Sequence, residues 1–442
     1  MTTPTTPGLI IAAPASGSGK TLVTMGILRS FRRGGVAVAP FKAGPDYIDS
    51  AFLAAAAGRD CVNLDVWAMR PETLHALTAR LAADSGLVVG EGVMGLFDGA
   101  THDSGSTADL AALTGWPVVL VVDASAQAAS AAAVVRGFAT HRADVEIAGV
   151  VFNRIGGESH ARLLRDACAA TLDVPVLGCI PRDDALGVGE RHLGLVQAAE
   201  HDDLERLAEA AADAVAAHVD CERLRALARP ARGAGRGADA VPVPPLGQRI
   251  AVARDLAFAF SYPWLIDGWR TAGAEVARFS PLADEAPDAD ADAVYLPGGY
   301  PELHAGRLAA NACFLDGLRA AAGRGAVVYG ECGGYMVLGR ALTDADGTSH
   351  AMAGLLPLET SFAERRLHLG YRRLALERDC PLGARGAAFR GHEFHYARIV
   401  EEDASAPLFD GADAAGRRLA PSGSVRGSVF GSFNHLIDRA QA

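Results

Sequence analysis

No stretch of the 442 residues comes near the roughly 18 uninterrupted apolar residues that a membrane-crossing helix needs, so no transmembrane segment is expected. A basic segment followed by an apolar one is also missing at the N-terminus, which leaves a cytoplasmic, soluble protein as the expectation. Cysteine is sparse: the seven residues at 61, 168, 179, 221, 313, 332 and 380 are widely spread and contain no CxxC pair. Neither a disulfide framework nor a zinc site is indicated, and a reducing compartment fits best. Positive charge is in deficit, with a formal net charge of -11. A nucleic-acid surface needs clustered Lys and Arg against phosphates, so that class of partner is not expected, whereas a single small anion is still allowed.

Apolar residues are plentiful at 50%, and there are 50 glycines, which favours a compact α/β protein over a disordered or fibrous one. The length is more than one core normally holds and suggests two domains. Short apolar runs at Leu9–Ala13, Val36–Phe41, Leu87–Val89, Val118–Val122 and Ile147–Phe152 alternate with Ala-rich, helix-compatible stretches, the rhythm of a parallel β/α sheet. Residues 229–248 carry four Pro and four Gly with no apolar period, the composition of an exposed connection. The expected division is therefore 1–228, a linker at 229–248, and 249–442. The β/α rhythm restarts at Ile250–Ala253, Val276–Phe279, Ala293–Leu296 and Ala326–Tyr329. From Leu355 to His435 the runs are shorter and richer in Gly, and the pattern specifies strands poorly there.

Directly after the first apolar run comes Ala13-Pro-Ala-Ser-Gly-Ser-Gly-Lys-Thr21. Small residues at Ser16, Gly17, Ser18 and Gly19 let successive backbone N–H groups converge on phosphate oxygens at a helix start, with Lys20 adding a point charge and Thr21 able to reach Mg²⁺. Pro14 stands where this motif usually has its first Gly. A phosphate-bound Mg²⁺ needs oxygen ligands from neighbouring strand ends, and two segments qualify: Phe41-Lys-Ala-Gly-Pro-Asp-Tyr-Ile-Asp49 and Glu91-Gly-Val-Met-Gly-Leu-Phe-Asp98. Asp46 and Glu91 are the candidate ligands, with Asp49 and Asp98 further out, although Asp and Gly in such loops also serve plain turn chemistry. Lys42 is a phosphate contact, a contact to a substrate carboxylate, or an ordinary solvated side chain. Asn153, at another strand end, is a candidate for adenine recognition or a turn cap.

In the second half, Tyr329-Gly-Glu-Cys-Gly-Gly-Tyr335 runs a strand into a tight Gly-x-Cys-Gly-Gly turn, the shape that strains and exposes a nucleophile. A helix start at that point is expected to lower the pKa of Cys332. Leu296-Pro-Gly-Gly-Tyr-Pro-Glu302 supplies further backbone donors, making Gly299 and Gly333 the candidate oxyanion pair. The other six cysteines suit buried, inert positions. His435, after the last apolar run, is the first choice of proton shuttle, with His392 and His395 of Gly391-His-Glu-Phe-His-Tyr396 as rivals. That second cluster lacks a zincin spacing and reads as site lining or packing.

Together these motifs resemble the cobyrinate or hydrogenobyrinate a,c-diamide synthases of cobalamin biosynthesis, and the likeness spans essentially the whole chain. The first half is similar to dethiobiotin synthetase through Ser16–Thr21, Lys42–Asp49 and Glu190-Arg-His-Leu-Gly-Leu195; the second is similar to class I glutamine amidotransferases through Gly330–Gly334, Gly391–Tyr396 and His435. The resemblance implies an α/β fold with an N-terminal P-loop parallel sheet and a flavodoxin-like amidotransferase domain. It implies that Cys332 attacks the amide of L-glutamine with help from His435, while ATP phosphorylates a carboxylate of a corrin-ring acid that ammonia then converts to the amide. Thr21, Asp46 and Glu91 would hold Mg²⁺, and Lys42, Tyr47, Asp49 and Asp98 would handle the substrate carboxylate or the transferred phosphoryl group. Partners are then small molecules only, with a homodimer as the oligomeric candidate. Most class I amidotransferases place a Glu two residues after the His, whereas this chain has Ile437, so what orients His435 stays open. Rival readings are cobyric acid synthase, a nickel-sirohydrochlorin diamide synthase and, from another class, a partitioning switch ATPase of the MinD/ParA kind. The last usually carries an early second Lys where this chain has Ala15.

Overall fold

The computed structural model of the chain describes residues 6–183, 186, 190–191, 194–195, 203–232, 240–403 and 405–441. It divides into two compact units: Met1–Trp67 with Leu74–Ala238, and Ala68–Thr73 with Asp239–Ala442. The short piece Ala68–Thr73, far from the second half in sequence, belongs to the second unit. Its Arg70 donates from its backbone N and Nε to Asp438, at 2.8 and 3.0 Å. The proline- and glycine-rich segment is not wholly free of secondary structure, since Arg229–Pro230 pairs antiparallel with Pro7 and Gly8. Among the described residues no helix is long and apolar enough to cross a membrane.

In the first unit seven parallel strands lie in the order β3-β2-β4-β1-β5-β6-β7, where β1 is Pro7–Ala12, β2 Val38–Ala43, β3 Val62–Leu64, β4 Leu87–Glu91, β5 Val118–Asp123, β6 Ile147–Ile155 and β7 Val176–Pro181. Covered on both faces by helices, these strands read as continuous apolar runs and not as alternating ones. The order reverses at β1, so the C-terminal ends of β1, β2, β4 and β5 open onto one edge, where open α/β sheets bind ligands. Helix α1 (Lys20–Arg33) follows β1, ends on Arg32 and Arg33 at the negative end of its dipole, and buries Val23, Ile27, Leu28 and Phe31. Helix α2 (Ile48–Ala57) follows β2.

In the second unit a six-stranded sheet runs Glu275–Phe279, Arg249–Ala253, Ala293–Leu296, Val327–Glu331, Val429–Ser432 and Ser424–Arg426, parallel except for the last pair. Numbered by chain order within the parallel set, this is the 2-1-3-4-5 order of flavodoxin-like sheets. Two four-stranded sheets complete the unit. One is antiparallel, with Phe409–Asp413, His368–Leu376, Ala388–His395 and Asn434–Arg439 in sequence across it. Only Phe433 separates Val429–Ser432 in the first sheet from Asn434–Arg439 in the antiparallel one, so the chain changes sheets immediately before His435.

Candidate active sites

At the end of β1 the loop 13–19 turns with Gly17 at φ 78° and Gly19 at φ 83°, left-handed conformations that only glycine adopts at little cost. Gly19 caps α1 with no side-chain hydrogen bond to the first-turn amides, which leaves the helix start as a ready anion site. The loop is braced from outside. Asn153 donates from Nδ2 to Ser18 O at 3.0 Å, and Arg154 donates to Gly17 O at 2.8 Å and to Asp123 at 2.7 Å. A Cβ on Gly19 would land 2.2 Å from that Asn153 amide nitrogen, so the fit tolerates no side chain. Asn153 and Arg154 also line a cavity of about 380 Å³ with Leu22, Ile180, Pro181 and Ala211 beside α1. Ser18 is turned inward, donating to Ala15 O at 2.8 Å.

Six predicted residues gather where β1, β2 and β4 end. Glu91 is fully buried, and its Oε1 accepts from Thr21 Oγ1 and from Lys42 Nζ, each at 2.9 Å. Lys42 also donates to Asp49 at 2.5 Å. Its side chain is buried, which removes the reading of a solvated lysine. Burial alone would strip its charge, yet Asp49, Glu91 and Asp46 outweigh that loss and hold the ammonium well above its ordinary pKa. Lys20 donates from Nζ to Met94 O at 2.8 Å, and burial pulls its pKa down. Burial pushes the carboxyl of Glu91 up to about 7, against the pull of Lys42. For Asp46 burial and then the charge of Asp49 raise the value to about 6. One oxygen of Asp46 does turn chemistry, accepting the N–H groups of Ile48 and Asp49 at 2.8 and 3.0 Å as α2 begins. Tyr47 is half-buried at the same helix start. Asp98 stands apart: it is exposed and accepts from Gly95 N at 2.8 Å, closing its own loop.

These residues fit a hard divalent cation. Glu91 Oε2 is buried with no hydrogen-bond partner, an expensive state for a carboxylate unless something occupies that side. The Thr21 hydroxyl already touches the other oxygen of the same carboxylate, so hydroxyl and orphan oxygen present a partial oxygen set of the kind Mg²⁺ accepts.

In the second unit Cys332 has φ 48° and ψ -106°, a strained conformation for a residue with a Cβ, costing about 1–3 kcal/mol. It is fixed by its N–H donating to Ser432 O at 2.9 Å, where Val327–Glu331 and Val429–Ser432 run side by side. The thiol lies 3.6 Å from Phe394 O. A Cβ on Gly298 would fall 2.4 Å from His435 Cε1 and 3.3 Å from Cys332 Cβ, so glycine there leaves room beside both residues. A Cβ on Gly333 would likewise lie 3.0 Å from Gly299 N, which puts the two oxyanion candidates side by side.

The electrostatics correct one expectation. Cys332 does not have a lowered pKa: burial first, and the charge of Glu302 next, push the thiol up, and the Gly333 N–H opposes them too weakly to win. Burial likewise drives His435 well below its usual value, so thiol and imidazole are both neutral in the substrate-free molecule. The cysteines also differ from expectation: Cys61, Cys168 and Cys179 are buried, whereas Cys221 and Cys380 are half-buried and Cys313 is exposed.

His392 packs beside His435 with ring centroids 4.9 Å apart, and burial lowers its pKa to about 3. His395 donates from Nε2 to Glu393 Oε1, 2.8 Å away, and stacks on His368 and Phe433. His368, Glu393 and His395 bring ligand atoms within 4.8 Å of one another, but Arg372 Nε already sits 2.8 Å from Glu393 Oε2 and supplies the positive charge. Burial works against the Glu393 carboxylate, yet His395 and Arg372 hold its pKa at about 2. Lining is the better description of this cluster.

Residues that sequence reasoning did not single out include Glu393, Arg372 and, above all, Glu331. Glu331 is buried, accepts from Tyr295 OH at 2.7 Å, Tyr329 OH at 2.8 Å and Leu436 N at 3.2 Å, and lies 3.9 Å from His435 Nδ1. Its place in Gly330–Gly334 was visible, but its partners Tyr295 and Leu436 lie on two other strands. His192 and Leu193, within the Glu190–Leu195 motif, lie outside the described residues.

Two family models match. The model described as the CobQ/CobB/MinD/ParA nucleotide binding domain covers residues 9–195, and the model described as the CobB/CobQ-like glutamine amidotransferase domain covers residues 249–442. Among curated relatives, the hydrogenobyrinate a,c-diamide synthase of Brucella abortus is 57% identical over 98% of this chain and 98% of its own. The enzymes of the same name from a Sinorhizobium species and from Mesorhizobium japonicum are 56% and 54% identical, each over 98% of this chain and 99% of theirs. Identity at this level along nearly the full length of both proteins places the chain in the hydrogenobyrinate a,c-diamide synthase family.

Proposed function

We propose that this chain amidates the a- and c-carboxylates of hydrogenobyrinate, using ATP and glutamine and passing through an acyl phosphate. The observation that carries this reading is the 57% identity to a synthase of that name across both halves of the chain. Residues 1–228 are assigned the activation of the acid, and residues 249–442 the release of ammonia.

A carboxylate is a poor electrophile and merely protonates ammonia, so a better leaving group must be installed out of reach of water. The loop 16–21 cradles the ATP phosphates, and the cavity lined by Asn153 takes the adenosine end. Thr21 and Glu91, with Asp46, would hold Mg²⁺, which would neutralise charge on the phosphates. Lys20 and Lys42 present positive charge towards the transferring phosphoryl group, and Asp49 keeps Lys42 charged and aimed. Tyr47 and Asp98 are assigned to the mouth where the ring carboxylate enters. Ammonia then attacks the acyl phosphate, the C–O bond breaks, and phosphate leaves.

Ammonia comes from glutamine. Cys332 gives its proton to His435 as its sulfur attacks the amide carbon, and N–H groups at Gly299 and Gly333 receive the oxyanion. The C–N bond breaks as His435 returns the proton to the leaving nitrogen. Water then cleaves the thioester, yielding glutamate and free Cys332.

The test is an incubation of the purified protein with hydrogenobyrinic or cobyrinic acid, glutamine and Mg-ATP, with amides counted by mass spectrometry. Two amides per hydrogenobyrinate, with one ATP hydrolysed for each, is the expected result. Product formed only from an acid already diamidated at a and c would move the assignment to cobyric acid synthase chemistry.

A further inference from the structure

We propose that Glu331, the residue immediately before the nucleophile, is the carboxylate that positions His435 and so takes the place left by Ile437. The proposal rests on the amidotransferase reading above.

The alternatives in sequence are already committed. Ile437 is apolar and fully buried, and Asp438 is bound through both oxygens by Arg70. Glu331 brings a carboxylate oxygen beside the His435 ring, with Oε2 at 3.9 Å from Nδ1. That distance is longer than a hydrogen bond, but catalytic contacts in substrate-free enzymes are often long and shorten in the reacting complex.

The carboxylate is held in place on three sides. Tyr295 donates to Oε2, while Tyr329 and the N–H of Leu436 donate to Oε1. The two tyrosines come from neighbouring parallel strands that pair Tyr295 with Tyr329, so their hydroxyls reach the same point from one face. The third donor is the backbone of the residue next to His435. Glu331 therefore fixes the strand that carries the imidazole as well as facing the ring.

The same carboxylate is bonded through one peptide to Cys332, whose strained φ turns the thiol away from the strand. Nucleophile, base and orienting group thus share one rigid frame. When His435 takes the Cys332 proton, an imidazolium forms in a fully buried place, and burial opposes it. The His392 ring beside it and His395 further off add no negative charge and disfavour the imidazolium, while the carboxylates of Glu302 and Glu393 lie near enough to act on the Cys332 thiol. Glu331 supplies negative charge on the Nδ1 side of the ring. It does not itself take the proton.

Glutaminase kcat, KM and pH profile are to be measured for Glu331→Gln, Glu331→Asp and Cys332→Ala. Positioning predicts that Glu331→Gln lowers kcat at least about 100-fold with KM changed less than about threefold, a loss typical of groups that orient a catalytic histidine. The acid limb of the profile is expected to move to lower pH, because glutamine lacks the charge that favours imidazolium, and Glu331→Asp should recover part of kcat. A merely structural Glu331 predicts a lower melting temperature with kcat and pH profile unchanged, and that result overturns the proposal. Should Glu331→Gln fail to fold, the Tyr295→Phe/Tyr329→Phe double variant keeps the carboxylate but frees it. Slower kcat supports positioning, and unchanged kcat overturns it. If Cys332→Ala retains glutaminase activity, the amidotransferase reading fails; if only the Glu331 variants behave normally, the positioning role alone fails.

Discussion

Both sites bury ionisable side chains but leave those at their centres in opposite states. At the nucleotide site charges are concentrated and unfinished: two lysines face three carboxylates, two of those carboxyls titrate near neutrality, and Glu91 keeps one oxygen without a partner. At the thiol and its neighbouring imidazole the charges are withheld. Burial leaves Cys332 and His435 neutral, and Glu331 is surrounded by donors. On the proposed function the difference follows from what each site awaits. A phosphate with its counter-cation brings charge that must be matched on arrival, whereas a thiol attacking an amide needs charge only while the reaction proceeds.

The largest test of that contrast removes one site outright. Cys332→Ala is expected to abolish glutamine-dependent amidation, a loss of about 10⁴-fold or more, while ammonia-dependent amidation stays measurable because only the nitrogen source is gone. Glutamine use surviving in that variant would exclude Cys332 as nucleophile. Next comes Glu91→Gln, which should cut amidation about 10³-fold with either nitrogen donor, since the ATP step serves both. Near-normal turnover with ammonium would remove Glu91 from the metal site.

A third test uses pH. Folding raises the pKa of Glu91 to about 7, above the roughly 4.3 of an unfolded chain. The unfolded chain therefore ionises first, and this group's contribution to stability falls as pH rises from about 4.5 to about 7. Bound Mg²⁺ requires the ionised form, so the rise in melting temperature on adding Mg²⁺ should be small at pH 6 and larger at pH 8. That pH dependence should vanish in Glu91→Gln. Glu331, also pushed up to about 7 by burial, contributes the same trend without metal and is unaffected by Mg²⁺. The smallest effect is expected for Asn153→Ala, which loosens the brace on Ser18 O and opens the cavity beside it. KM for ATP should rise about 10-fold, in line with loss of one buried hydrogen bond of about 1 kcal/mol plus cavity contacts, and glutaminase activity should not change.

What the sequence disclosed depends on how local each interaction is. The phosphate loop was legible because its ligands are consecutive backbone amides, and Gly17, Gly19, Lys20 and Thr21 announce them within one turn. The nucleophile elbow was legible for the same reason, since Gly330, Gly333 and Gly334 are needed for the turn around Cys332. Glu331 lay inside that motif but went unrecognised, because its meaning comes from Tyr295 and from Leu436, 105 residues away across the sheets. The direction of the thiol's pKa was misjudged because helix position is readable in sequence and depth of burial is not. Lys42 was left between solvent and site for that reason as well. The region from Leu355 to His435 gave a weak pattern because most of the strand His368–Leu376 in the antiparallel sheet and all of Arg398–Glu402 in the other four-stranded sheet face solvent at least in part, so the apolar period is broken.

The most direct measurement follows the nitrogen. The protein is given hydrogenobyrinic acid, Mg-ATP, glutamine labelled with ¹⁵N in the amide and unlabelled ammonium, and the product is weighed. The account predicts two ¹⁵N atoms per product from the unaltered protein, and unlabelled amides alone from Cys332→Ala. Unlabelled amides from the unaltered protein, or labelled ones from the variant, would contradict it.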